Sequence, residues 1–160
     1  MNKIPLTQGQ FSIVDDADYL KLSKLKWCAV WDPDTKTFRA SRGVSRNGKT
    51  TTVFLHREIM GVVERTRKVD HKNHDTLDNR RENLRVCTNA ENCRNRRGPR
   101  ARSFSGVRGV CWNKKCGKWR AQIRVGGKNR HLGLFISKAA AGAAYIAANR
   151  THFGDFGGGV

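Results

Sequence analysis

From Asn92 to Gly154 the chain has no aspartate or glutamate, although 15 lysines and arginines fall in the same stretch. A surface that neutralises itself is therefore excluded there, and solubility alone does not require so one-sided a charge. Paired cysteine motifs are missing too. Cys28, Cys87, Cys93, Cys111 and Cys116 form an odd set without a CxxC, which argues against a disulfide framework or a structural zinc site and for reduced thiols in a cytoplasm. The opening "MNKIPLTQGQ" lacks the apolar centre of a signal peptide, and the alanine-rich run 139–148 is too short to span a bilayer. The expectation is a soluble cytoplasmic protein with no membrane partner.

What is present is positive charge: 32 Lys and Arg against 13 Asp and Glu, a formal +19. A protein so charged repels itself unless a polyanion compensates, so nucleic acid is the expected partner. All acids but one lie at or before Glu91, so the two parts of the chain are expected to do different work. A length of 160 residues allows one medium domain or two small ones.

The first 60 residues alternate short apolar runs with turn signals. Asp15 is placed to cap a short helix in "VDDADYLKLSKLKW"; "WCAVW", "TFRASRG" and "TTVFLH" read as strands, separated by "DPDT" and by "SRNGKT", whose Asn47-Gly48 suits a tight type I′ hairpin. An antiparallel sheet of about three strands follows. From Val69 the order becomes strand ("KVDHK"), irregular loop ("NHDTLDNRRENL"), strand ("LRVCT") and helix ("NAENCRNRR"), the helix opened by a Thr88 and Glu91 capping box. "RNRRGPRAR" should end that helix near Gly98-Pro99 and continue as a basic linker. In "KWRAQIRV", Trp119, Ala121, Ile123 and Val125 alternate with Lys118, Arg120, Gln122 and Arg124, giving one apolar and one basic face. "GVRGVCWNK" and "NRHLGLF" should flank it, and Ser137 should cap an Ala- and Gly-lined helix packed on the apolar face.

Hydrolysis of a phosphodiester needs an activated water and stabilisation of charge at the phosphoryl group, which a neutral His and a hard cation on oxygen ligands can supply. Asp70, His71 and Asn92 offer such a set if strand and helix face each other. Neighbours on a regular strand point to opposite faces, so Asp70 and His71 share a site only if the strand ends or bends there. On composition and spacing alone, the stretch Lys68 to Arg85 reads more readily as a solvated polar loop than as half a reaction centre whose arginines contact phosphate.

The elements "LHREIM", "VDHKNHDTLDNRRENLR" and "CTNAENCRNRR" resemble, in order and spacing over about residues 54–97, the HNH homing endonucleases of phages and mobile introns. The resemblance implies a ββα-metal unit in which His71 is the general base, Asp70 and Asn92 are metal ligands and Asn83 braces the loop, an H-N-N variant using a divalent ion, Mg²⁺ or else Mn²⁺. His74 stands in a turn where family members often have Gly, and reads as turn filler or as a ligand; His56 reads as structural or as a contact beside the site. Residues 105–156 resemble the AP2 DNA-binding domain (AP2/ERF), through "SGVRGV", "GKWRAQIR", "HLGLF" and "AAAGAAYIAANRTHFGDF". This second resemblance implies a three-stranded sheet in the major groove, with Arg108, Gln122, Arg124 and Asn129 facing DNA and Trp112, Lys118, Arg120 and Arg130 as further candidates. Arg94, Arg96 and Arg97 at the linker are expected to track phosphates. Cys111, Asn113 and His131 replace family Arg and Trp positions, so no target sequence carries over.

The expected architecture is α+β: an N-terminal sheet region with an HNH domain over 1–97, a basic linker over 98–104, and an AP2-like sheet packed on one helix over 105–156. The expected function is metal-dependent cleavage of double-stranded DNA in a bacterial or phage-infected cell, by a chain with no obligate protein partner that can act as a monomer. The rival is a non-catalytic AP2-type transcriptional regulator with a degenerate HNH unit. A basic RNA-binding protein fits the charge but leaves the Asp-His-Asn spacing unexplained.

Overall fold

The computed structural model describes residues 1–95 and 104–157, and the chain divides into two compact units, Met1–Asn92 and Cys93–Val160. The mixed α/β class is as expected, with small antiparallel sheets and few helices.

The first unit begins with a hairpin that the sequence reading did not anticipate. Strands β1 (Asn2–Pro5) and β2 (Phe11–Val14) pair antiparallel, and the turn between them holds Gln8 and Gly9 at φ 59° and 68°. Helix α1 (Asp16–Leu22) follows. Asp15 does stand at its N-cap, but its carboxylate bonds no helix amide and instead accepts from the Arg81 backbone N–H at 2.8 Å. Strands β3 (Cys28–Asp32), β4 (Thr37–Arg46) and β5 (Lys49–Phe54) form the anticipated antiparallel sheet, in the order β3-β4-β5. Asn47 and Gly48, at φ 50° and 71°, close the β4–β5 hairpin as a type I′ turn requires. The run read as a continuing strand through "LH" turns at Leu55 into the short helix α2 (Leu55–Ile59), because Leu55, His56 and Ile59 share a buried face at helical spacing.

Next come β6 (Lys68–His71) and β7 (Leu84–Cys87), paired so that Asp70 faces Arg85 and His71 faces Leu84, and then α3 (Asn89–Arg94). The capping box forms reciprocally: Thr88 N–H donates to Glu91 Oε2 at 2.7 Å and Glu91 N–H to Thr88 Oγ1 at 3.3 Å. Helix α3 ends at Arg94, short of the expected stop at Gly98-Pro99; positions 96–103, including Arg96, Arg97 and nearly all of the expected linker, lie outside the described residues. One core joins these pieces: Ile4, Val14, Leu22, Trp27, Ala40, Leu55, Ile59 and Leu84 pack together, so β1, β2, α1, β4, α2 and β7 each contribute to it.

In the second unit β8 (Val110–Asn113), β9 (Lys118–Val125) and β10 (Lys128–Phe135) form an antiparallel sheet with β9 in the middle. Helix α4 (Lys138–Phe153) starts where Ser137 Oγ accepts the Ala140 N–H at 3.1 Å, and packs through Ala141 and Ala144 onto Val110, Ala121 and Trp119. Small helix residues allow this approach. Gly109, at φ 71°, has the Tyr145 ring 2.1 Å from where a Cβ would stand, so no other residue fits there unchanged.

Candidate nuclease site and basic sheet

The connection from β6 to β7 is polar but not loose. Asn83 accepts the Asn73 N–H on its Oδ1 at 3.0 Å and donates from Nδ2 to the Asp78 carbonyl at 2.7 Å, tying the two ends of the turn through one side chain. His74 lies at φ 67°, a conformation that His tolerates better than most residues. The loop is also stitched to β2: Ile13 N–H donates to the Leu77 carbonyl and Asn79 N–H to the Ile13 carbonyl, each at 2.8 Å.

Asp70 and His71 are both buried at the end of β6, and each meets a different partner. Asp70 Oδ2 accepts from Arg85 Nε at 3.0 Å and Nη2 at 2.8 Å across the strand pair. His71 Nε2 lies 3.1 Å from Asn79 Oδ1. The ring of His56 stands edge-on to that of His71, with centroids 5.2 Å apart, and stacks on Phe54 from the other side. Burial, with His71 and the Arg39 and Arg57 cations nearby, lowers the His56 imidazole to a pKa of about 3, so it is a neutral wall beside His71 at physiological pH. Burial also lowers the pKa of His71, against opposing effects of Asn79 and Asp70, which favours the neutral form of its ring more than in an ordinary imidazole. Asn92 stands half-buried on α3, its backbone N–H bonded to the Thr88 carbonyl at 3.0 Å.

The loop arginines differ from expectation. Arg80 pairs with Asp78 and Glu82, Arg81 with Asp18 through two 2.8 Å bonds, and Arg85 with Asp70, so in this state these guanidinium groups hold the loop and the strand pair rather than stand ready for phosphate. Sequence reading also missed Asn79, Ser12 and the role of Arg85. Ser12 lies 67 positions from Asn79, and no local pattern marks such a pair.

In the second unit the strand register sorts the expected DNA-facing residues. Side chains directly opposite each other share a face, so the pairs Cys111–Arg120, Asn113–Lys118, Arg124–Asn129 and Gln122–His131 lie on the face turned away from α4. Trp112 pairs with Trp119 in an edge contact at 5.1 Å, and Arg130 pairs with Ile123; both belong to the α4 side and are withdrawn from the basic face, although Trp112 stays 41% exposed. The alternation placed Lys118, Arg120, Gln122 and Arg124 together, but the faces of β8 and β10 depended on register, which one sequence does not reveal. Two arginines have structural duties: Arg108 donates to the Arg94 carbonyl at 2.7 Å and the Cys93 carbonyl at 3.3 Å, and Arg94 lies 4.4 Å over the Phe153 ring.

Among the described residues no group of three or more His, Cys, Asp and Glu is arranged to hold a metal, and no helix is long and apolar enough to cross a membrane. Of the expected metal ligands, the Asp70 carboxylate and the Asn92 amide offer hard oxygens of the kind a divalent ion such as Mg²⁺ accepts, and Asp70 Oδ2 is held by Arg85.

A model of the HNH endonuclease family matches residues 58–94, a span that includes Asp70, His71, Asn83 and Asn92 and supports a nuclease acting on DNA. No curated protein and no solved structure matches the chain.

Proposed function

We infer that the protein is a metal-dependent DNA endonuclease of homing type, in which the β6-β7-α3 unit cuts and the AP2-like sheet of the second unit binds the target. The observation that carries this reading is the buried His71 next to Asp70, on a strand pair braced by Asn83 and inside the segment similar to HNH endonucleases. A buried polar cluster of this kind is costly to maintain in a plain surface loop.

In this mechanism His71 takes the proton of the attacking water. Asp70 and Asn92 would hold a divalent ion, which when bound supplies charge stabilisation at the phosphate and at the departing 3′ oxygen. Lys118, Arg120, Gln122, Arg124 and Asn129 provide the positive and hydrogen-bonding face toward duplex DNA. The test is nicking of supercoiled plasmid. Nicking that needs added Mg²⁺ or Mn²⁺, stops with chelator and is lost in His71→Ala supports the reading; metal-independent cutting, or full cutting by that variant, ends it.

A second reading has one observation in its favour. The Asp70 carboxylate is held by Arg85, as in a strand pair kept for structure alone, and a regulator with a non-catalytic HNH unit would look the same. Absence of nicking under every divalent ion, together with tight duplex binding, selects it.

A further inference from the structure

The hydrogen bonds around His71 form a chain whose direction is set from its far end. A backbone carbonyl can only accept. Ser12 Oγ therefore donates to the Leu77 carbonyl at 3.0 Å. With its proton engaged, Ser12 Oγ accepts from Asn79 Nδ2 at 2.8 Å, and the same amide nitrogen faces the Thr76 carbonyl at 3.4 Å. Both contacts place the NH₂ of Asn79 toward Ser12 and its oxygen toward His71. Asn79 Oδ1 has no proton to offer, so His71 Nε2 must carry the hydrogen across the 3.1 Å contact. In a neutral imidazole that leaves Nδ1 as the lone-pair nitrogen.

Burial makes the arrangement rigid. Ser12 and Asn79 are almost wholly buried, and the backbone bonds between Ile13 and the loop hold both residues in register. A flip of the Asn79 amide would turn its Oδ1 toward Ser12 Oγ, whose proton is engaged, and toward the Thr76 carbonyl, and so lose two bonds inside the protein, which is costly without water to replace them.

We propose that Asn79, itself oriented by Ser12, is the positioning residue that fixes His71 as the Nε2–H tautomer and so makes Nδ1 the basic nitrogen of the site. The catalytic meaning of this assignment rests on the nuclease reading; the tautomer itself does not. Strand β2 thereby reaches the reaction centre from the N-terminal hairpin, through a side chain that touches neither substrate nor metal in the mechanism above.

The experiment is two-bond ¹H–¹⁵N correlation of the imidazole rings in the metal-free full-length chain labelled with ¹⁵N-histidine, at about pH 8, where an ordinary imidazole is neutral. His71→Gln identifies the His71 signals among the five histidines. Wild type should show a protonated Nε2 and an unprotonated Nδ1. Asn79→Ala should mix the two tautomers, Asn79→Asp should keep the wild-type pattern because it still offers an acceptor, and Ser12→Ala should fall between. A wild-type ring with its hydrogen on Nδ1 overturns the proposal without any variant needing to fold, and so does an unchanged pattern in Asn79→Ala; an unchanged pattern in Ser12→Ala removes Ser12 from it. If the chain nicks DNA, Asn79→Ala should slow single-turnover cutting by roughly 10- to 100-fold, part of the ~10²–10⁴ that a general base contributes, with DNA affinity nearly unchanged. A chain that never nicks would sink the nuclease reading and leave the tautomer result standing on its own.

Discussion

The two units handle charge in opposite ways. Met1–Asn92 has 17 Lys and Arg against 12 Asp and Glu, and Arg39, Arg42, Arg80, Arg81 and Arg85 all meet a carboxylate. Cys93–Val160 has 15 Lys and Arg and a single acid, Asp155, so its positive charge cannot be neutralised from within. In the first unit, charge orders a buried polar site; in the second, charge is left for a partner. Buried or half-buried ion pairs give direction and rigidity, whereas an unpaired basic face gives affinity that salt can weaken.

The largest expected effect separates cutting from binding. His71→Ala should lower the nicking rate by ~10²–10⁴ while duplex affinity stays within about twofold, measured by plasmid nicking and by fluorescence anisotropy on the same preparation. Equal loss of both would erase the distinction between the two units.

Acid should next expose the first unit. His56 has a folded-state pKa of about 3 against an unfolded 6.5, so below 6.5 the unfolded chain binds more protons and stability falls with pH. His56 alone should remove up to about 1.4 kcal/mol per pH unit, and His71, lowered in the same direction, adds to it. Urea midpoints between pH 7 and about 5.5, above the range in which ordinary carboxylates protonate, should drop steadily. A His56→Gln variant should show a shallower slope; the same slope would mean that His56 is not held neutral.

The second unit should break sterically rather than electrostatically. Gly109→Ala needs a positive φ and forces the Tyr145 ring to move, for a cost of about 1–3 kcal/mol in thermal or urea unfolding. The smallest effect is the sharpest test of the contrast. Arg120→Ala and Arg124→Ala should each reduce the slope of log affinity against log salt by about 0.9 if each neutralises one phosphate, and Arg81→Ala, whose partner is Asp18, should leave that slope unchanged. A slope change with Arg81→Ala would show that the loop pairs exchange for phosphate when DNA binds.

Several local signals were legible, where the governing interaction is local and the residue types are the usual ones, although the Asp15 carboxylate went to Arg81 instead of capping α1. The Asn47-Gly48 hairpin, the Thr88 and Glu91 capping box, the Ser137 cap and the alternation along β9 each depend on residues a few positions apart, and each formed as read. The β1–β2 hairpin escaped because its turn, Gln8-Gly9, lacks the usual turn dipeptide, and α2 escaped because five residues are too few for periodicity to show. Trp112 and Arg130, named as candidate DNA contacts, lie opposite Trp119 and Ile123, because register decides which face of β8 and β10 each residue joins.

By itself, then, the sequence determined a strongly basic chain of two unlike parts, the order of its strands and helices apart from the β1–β2 hairpin and α2, and an Asp-His pair ahead of Asn83 and Asn92 at a spacing that resembles that of HNH endonucleases. Tertiary structure alone decided what those residues meet: Arg85 on Asp70, Asn79 on His71, Ser12 on Asn79, and His56 pressed neutral against the His71 ring. The reason is physical. Hydrogen-bond direction and the protonation of a buried ring are set by groups brought close in space, and Ser12 reaches Asn79 only after a strand 67 residues away has docked on the loop.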